Sequence, residues 1–342
     1  YPYQLGLGGI QNNDIIYEMG VEIGRQCKRM GIHVNFAPVI DINNNPNNPV
    51  INYRSFGEDP ENVSKKGWAY AKGMQDAGII ACAKHFPGHG DTDVDSHKDL
   101  PVINHSLERL REVEFKPFEY LIDKGIMSVM TAHLFIPAID DRKNIAMSIS
   151  DKAINGILRQ EMGFTGLSFT DALNMQGVAK YHPDGELEYK ALAAGNDILL
   201  SPGDIPKAKR LIKEAMKNGR LSEDYVWGKV LKILNYKHAM GLDDFQTLNE
   251  YNVENDLNST EAKYVNYKLV EQELCLVKDE KLLLPFHAKE NKRVLSIAIG
   301  TGNKTKFQSE LASLGNVSTV AISKSASAAQ FAELKRKIST YD

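Results

Sequence analysis

Only three of the 342 residues are cysteine, and Cys27, Cys82 and Cys275 stand far apart, with neither metal-ligand spacing nor a paired pattern. This excludes a disulfide-stapled scaffold and a cysteine-built zinc domain, so the three read as small buried hydrophobes. No run of 18 apolar residues occurs, so no segment reads as a membrane-spanning helix. A dominant charge is missing too: 41 Lys and Arg face 44 Asp and Glu, a net charge of −3. Bulk recruitment of nucleic acid or anionic lipid is thereby excluded. The chain also opens at Tyr1 without an apolar leader. An upstream signal peptide would give a periplasmic or cell-envelope address, and its lack a cytoplasmic one.

What is present is a globular balance, 42% hydrophobic and 25% charged, with length for one large domain and part of another. Short apolar runs rich in β-branched residues at 34–40, 79–85, 126–133, 166–170 and 197–200 predict five strands. Between them, three-to-four spacing of apolar residues predicts helices at 13–30, 60–77, 106–124, 151–162 and 205–218. This alternation implies an α/β fold with a parallel sheet. Four strands end in chemically able groups: Asp41, Lys84 with His85, His133, and Asp171. Reactive groups gathered at strand C-termini favour a (β/α)8 barrel, with a doubly wound open sheet as the competing fold. The barrel part is expected to span 1–242. A polar stretch at 243–260 reads as a linker. Residues 261–342 read as the start of an α/β sandwich domain, with strands at 274–278, 294–299 and 317–322.

The densest segment, Lys84-His85-Phe86-Pro87-Gly88-His89-Gly90-Asp91-Thr92-Asp93-Val94-Asp95-Ser96-His97, leaves a strand and enters a loop crowded with titratable groups. A calcium loop fails, because Ser96 stands at the glycine position and Val102 at the bidentate-glutamate position. Zinc held by His85, His89 and His97 is disfavoured, since Pro87, Gly88 and Gly90 break the helix that would align the first two. No metal and no cofactor are expected; a merely solvated loop stays open. Two residues apart in extended backbone, Asp95 and His97 project to one side, so the carboxylate can orient the imidazole for general acid and base work.

A second candidate is Asp171, delivered by the apolar strand at 166–170 and able to act as a carboxylate nucleophile. Capping of the following helix is the alternative role. The segment 54–60 places Asp59 and Pro60 at a helix start and leaves Arg54 as a multi-donor group.

Four motifs, Arg54 to Pro60, the Lys84-His85-Phe86-Pro87-Gly88-His89-Gly90 loop, Asp95-Ser96-His97 and Thr170-Asp171, stand in family order along the chain and resemble family-3 glycoside hydrolases in their β-N-acetylglucosaminidase branch. The resemblance covers roughly 1–242 and, more weakly, 261–342. It implies a barrel with a covalent glycosyl-enzyme mechanism: Asp171 as nucleophile, His97 as acid/base, Asp95 as its partner, and Arg54, Lys84 and His85 on sugar hydroxyls. The expected substrates are carbohydrates ending in β-linked N-acetylglucosamine, from peptidoglycan fragments or chitooligosaccharides. A β-glucosidase, a phosphorylase and a sugar-binding fragment without turnover stay open. The family's first barrel strands have no counterpart after Tyr1, and five strands cannot close an eight-stranded barrel, so a piece of a longer protein is expected.

Overall fold

A computed structural model describes residues 1–94, 99–183, 185–244, 246–280 and 292–341. The chain divides into two compact units, Tyr1–Cys275 and Leu276–Asp342.

In the first unit, strands β1 (Val34–Asn35), β2 (Ile80–Phe86), β3 (Ser128–Thr131) and β4 (Leu167–Thr170) form one parallel sheet in chain order. Every residue of β3 and β4 is buried, the unalternated pattern of a parallel sheet covered on both faces. Ala81, Ala83 and Val129 pack with the surrounding helices in the main core. Cys82, Met130, Leu167 and Phe169 turn to the other face, where they meet Phe36, Ile198 and Leu200 together with Ile233 and Tyr236 of the helix Glu223–Ala239 and Met240 at its end. Parallel strands joined by covering helices put all four C-terminal ends on one edge, the edge that carries the predicted reactive groups.

The helices start where local chemistry favours it. Asp59 accepts the Asn62 N–H at 2.6 Å with Pro60 next to it, opening Pro60–Asp76. That helix lies against Asp14–Arg29 at glycine contacts: a Cβ on Gly73 would stand 2.2 Å from the Tyr17 carbonyl oxygen.

Three expectations change. The run at 34–40 pairs as β1 only over Val34–Asn35; Pro38 has no N–H for a ladder, and the rest of the run is tied to β2 by the Cys82 N–H on the Ala37 carbonyl at 2.8 Å and by the single bridge Val39–Lys84. The run at 197–200 is reduced to one bridge, Phe169–Ile198, because the Asp197 carboxylate takes the Ser168 N–H at 2.9 Å and Ser201, with φ of 46°, turns the chain away. The predicted helix at 106–124 is two, Leu107–Glu112 and Lys116–Asp123, the second opening with Pro117. Lys152–Glu161 is a π-helix. After the polar stretch, Thr260–Gln272 packs on Asp14–Arg29 within the first unit.

The second unit holds the parallel pair β5 (Val294–Ile299) and β6 (Val317–Ile322), joined through the helix Lys306–Ser313. Buried Gln308 donates to the Ser296 and Val320 carbonyls, both at 2.9 Å, tying helix to sheet. The predicted strand at 274–278 is extended but unpaired among the described residues; Val277 is 93% exposed. Among the described residues no helix is long and apolar enough to cross a membrane.

Candidate active site

The C-terminal edge of the sheet surrounds a pocket of about 160 Å³ lined by Phe36, Val50, Arg54, Lys84, His85, His89, Met130, Asp171 and Leu200. Four sequence-predicted residues, Arg54, Lys84, His85 and Asp171, thus meet in one cavity although they come from three separate segments. Asp95 and His97 lie outside the described residues.

Asp41, fully buried at the end of the first strand segment, organises one wall. It accepts the His85 N–H at 3.1 Å and the His89 N–H at 2.7 Å, and its Oδ2 lies 2.7 Å from His85 Nδ1. Burial works to raise its pKa, but the His85 and His89 rings and the His89 N–H outweigh it and hold the carboxyl below the usual range. An ionised Asp41 therefore accepts a hydrogen bond from Nδ1–H of His85 and leaves Nε2 as the second nitrogen of a pocket-lining ring. The register between β2 and β3 shifts between Lys84 and Phe86, a bulge that re-aims these side chains at the sheet edge.

The loop that follows is held by the Asn-rich segment before it. Asn48 donates to the His89 and Gly90 carbonyls, both at 2.8 Å, and to Thr92 Oγ1 at 3.2 Å, while its Oδ1 accepts the Val50 and Ile51 N–H groups. At Gly90 the contact leaves no room for a side chain: a Cβ would stand 1.6 Å from the Ile42 carbonyl oxygen. His89, buried beside His85 with its Nδ1 3.0 Å from Thr92 Oγ1, is pushed down to about 4 by burial and by the neighbouring ring, so it is neutral at pH 7.

Asp171 leaves β4 with its N–H on the Thr131 carbonyl at 2.9 Å. Its Oδ1 accepts the Ala172 N–H at 2.8 Å, the one hydrogen bond the carboxylate makes among the described residues. The next helix, Gln176–Ala179, has Met175 at its cap position, so Asp171 caps nothing. Burial works to raise its pKa, but His85, His133, the Ala172 N–H and Lys84 together bring it below the ordinary carboxylate value. The group is an ionised carboxylate with free acceptor capacity facing a cavity.

His133 fixes that geometry. Its Nδ1 lies 2.7 Å from Ser148 Oγ, and its Nε2 donates to the Ala172 carbonyl at 3.0 Å. Burial drives it toward the neutral form, so it holds the segment after β4 as an oriented dipole. Lys84, largely buried in the same wall, is shifted down by burial and then by Arg54, with Cys82, Asp171 and Asp41 opposing. Arg54 is itself steadied by donation to the Val50 carbonyl at 3.0 Å.

Sequence reasoning placed Asp41 and His133 at strand ends without a role, and missed Asn48 and Ser148. The partners that tie them to the site lie 15 to 48 residues away, so only the strand-end position of the first two could have signalled them.

Residues 1–236 match the glycosyl hydrolase family 3 N-terminal domain. The chain is 35% identical over 234 residues to a β-hexosaminidase A of Pseudoalteromonas piscicida, covering 63% of this chain and 39% of that protein. It is 27% identical over 306 residues to a β-N-acetylglucosaminidase/β-glucosidase of Cellulomonas fimi, covering 87% of this chain and 54% of that one. The solved glycoside hydrolase family 3 β-N-acetylglucosaminidase of Paenibacillus sp. str. FPU-7 superposes with a TM-score of 0.79 at 32% identity, covering 99% of this chain and 66% of that one. The chain thus spans about half the length, or less, of these two curated relatives.

Proposed function

The chain belongs to glycosyl hydrolase family 3, and on that premise we propose that its site hydrolyses terminal, non-reducing β-linked N-acetylglucosamine with retention of configuration. The observation that carries this is Asp171: an ionised carboxylate, held at one oxygen by Ala172 and facing a small cavity rimmed by Arg54, Lys84 and His85. Such a group can attack an anomeric carbon, while the two cations and the imidazole engage hydroxyls around the ring. The cavity lies below the ~300–1,000 Å³ of sites for drug-sized ligands, which suits one sugar unit and exo action.

A retaining mechanism needs a proton donor as well as a nucleophile, usually a second carboxyl roughly 5 Å from the first. Asp41 is committed to His85 and His89, and His89 is neutral and buried. Membership of the family, together with the two-residue spacing of the pair, gives the acid/base role to His97, oriented by Asp95, on the loop leaving β2. A neutral imidazole there would not repel Asp171 as a second carboxylate would. Peptidoglycan fragments and chitooligosaccharides are the substrate classes.

The same reading takes β1–β4 and the Ile198 bridge as an arc of a (β/α)8 barrel, with residues 1–242 catalytic and 243–260 connecting, and has the α/β sandwich domain expected from 261 open after the helix Thr260–Gln272, which stays with the first unit. Replacement of Asp171 by Ala tests the assignment: turnover of an aryl N-acetylglucosaminide should vanish, and retained turnover would sink it. A second reading, turnover of β-glucosides, is favoured by the double name of the Cellulomonas fimi relative. Comparing aryl N-acetylglucosaminide with aryl glucoside, each with and without phosphate, separates hydrolysis, sugar preference and phosphorolysis.

A further inference from the structure

Beside the pocket, and outside the roles given above, three potential ligand groups converge: Asp91, His105 and Glu114 bring one ligand atom each to within 4.8 Å of one another. We propose that they bind a divalent transition-metal ion, Zn²⁺ in the first instance, which ties the two ends of the loop between Asp91 and His105.

Two carboxylates meet here with a single imidazole. Asp91 Oδ2 lies 2.6 Å from His105 Nε2, and Glu114 is 2% exposed. Glu114 is already oriented through one oxygen, Oε2, which takes Arg109 Nη1 at 2.8 Å. Its other oxygen faces Asn44, whose Nδ2 is 3.3 Å away, while Asn44 Oδ1 is buried without a partner. Asn44 thus gives Glu114 a donor and keeps its own carbonyl oxygen for a further partner. Neighbouring ligands around a tetrahedral ion with bonds of about 2.0–2.2 Å stand about 3.4 Å apart, a separation the three ligand atoms reach by small rotamer shifts from within 4.8 Å of one another. Nitrogen and oxygen donors in one small set favour Zn²⁺ or Co²⁺ over Mg²⁺ or Ca²⁺, which prefer all-oxygen shells. The Asp91–His105 contact would open by under about 1 Å to admit the ion.

The cluster is joined to the pocket wall. A Cβ on Gly88 would stand 2.8 Å from Glu114 Cβ, so the turn after His85 rests on the same glutamate. An ion held by residues 91 and 105 fixes both ends of the loop that includes Asp95 and His97; that consequence rests on the function proposed above, whereas the binding site does not.

The test is calorimetric titration of the chelator-treated protein with Zn²⁺. One equivalent should bind, and both Asp91→Asn and His105→Gln should weaken it by at least about tenfold, with melting temperatures of the metal-free variants close to that of the parent. Zn²⁺ should raise the parent's melting temperature and leave that of His105→Gln unmoved. Absence of binding overturns the proposal, as does binding that survives both substitutions but is lost in His85→Gln, which would put the ion in the pocket. Inactivity of the protein toward glycosides, by contrast, leaves the titration and its outcome intact.

Discussion

Two carboxylates, Asp197 buried and Asp171 half-buried, sit at opposite ends of the same strand. Asp197 reaches the N-terminal end of β4, where it accepts the Ser168 N–H at 2.9 Å and meets Arg159 at 2.7 Å, Lys232 at 2.9 Å and Lys229 at 3.0 Å. Asp171, at the C-terminal end, has one N–H at 2.8 Å and an open cavity. Both are held below the usual carboxylate range against the effect of burial, Asp197 chiefly by its three cations and Asp171 by a looser set of pocket groups. A depressed pKa therefore does not separate structure from function in this molecule. Saturation does: both oxygens of Asp197 are engaged, joining the helices Lys152–Glu161 and Glu223–Ala239 to the sheet, while one oxygen of Asp171 faces the cavity with no hydrogen-bond partner among the described residues.

The sharpest way to break the comparison is to substitute both. Asp171→Asn should lower kcat on an aryl N-acetylglucosaminide by roughly 10³-fold or more, since removal of a covalent nucleophile leaves only binding and electrostatic contributions. Its melting temperature should stay near the parent's, because only one hydrogen bond is touched. Asp197→Ala should do the reverse. It leaves three cations without their counter-charge, a loss of about 3–5 kcal/mol of stability in denaturant titration, with kcat per folded molecule unchanged. Should Asp197→Ala melt like the parent, or Asp171→Asn unfold, the distinction by saturation fails.

The sequence made one member of this pair legible and hid the other. A short strand run ending in a single carboxylate marked Asp171, and the Gly/Pro loop with its titratable groups marked Lys84 and His85; the structure gathers these with Arg54 around one pocket. The parallel α/β layout was legible for the same reason, since strand and helix periods are local. Asp197 read only as the start of a strand, because its worth depends on Arg159 and on Lys229 and Lys232, 32 to 38 residues distant. The cluster of Asp91, His105 and Glu114 was hidden likewise: His105 is 14 residues from Asp91, and Asn44 is 70 from Glu114. Pro38 and Pro117 were visible signals that the first strand and the helix at 106–124 would be interrupted, and the apolar periodicity masked them.

Acid separates the two ends further. Folded His89 titrates near 4, against about 6.5 for an unperturbed imidazole. Between those values the unfolded chain binds more protons than the folded one, so stability falls as pH drops from about 6.5 to 4. The loss should reach up to about 3 kcal/mol at the low end, and His89→Gln should flatten it. The carboxylates Asp41, Asp171 and Asp197 have folded values below their unfolded ones. Their contribution is complete above the unfolded carboxylate range of about pH 4 and drains only below it. Urea titrations at pH 7, 5 and 3.5 on parent and His89→Gln check both steps; an equal slope in the two proteins between pH 7 and 5 would remove His89 from the account.

The smallest effect tests saturation at its own margin. Lys232 is the most exposed of the three cations on Asp197, with 24% of its side chain accessible against 13% for Lys229 and 17% for Arg159. In Lys232→Met the methylenes still cover the sheet end, and Asp197 retains Arg159, Lys229 and the Ser168 N–H. Removing one of several partners from a carboxylate that keeps the rest should cost about 1 kcal/mol or less. A loss approaching that of Asp197→Ala would mean that the three cations act as one unit, because Lys232 also donates to the Gly166 carbonyl and would then be the link that holds the helix Glu223–Ala239 on the sheet. The double variant Lys232→Met/Asp197→Ala resolves this, since a coupling energy near zero assigns the loss to Gly166 and a large one to the carboxylate.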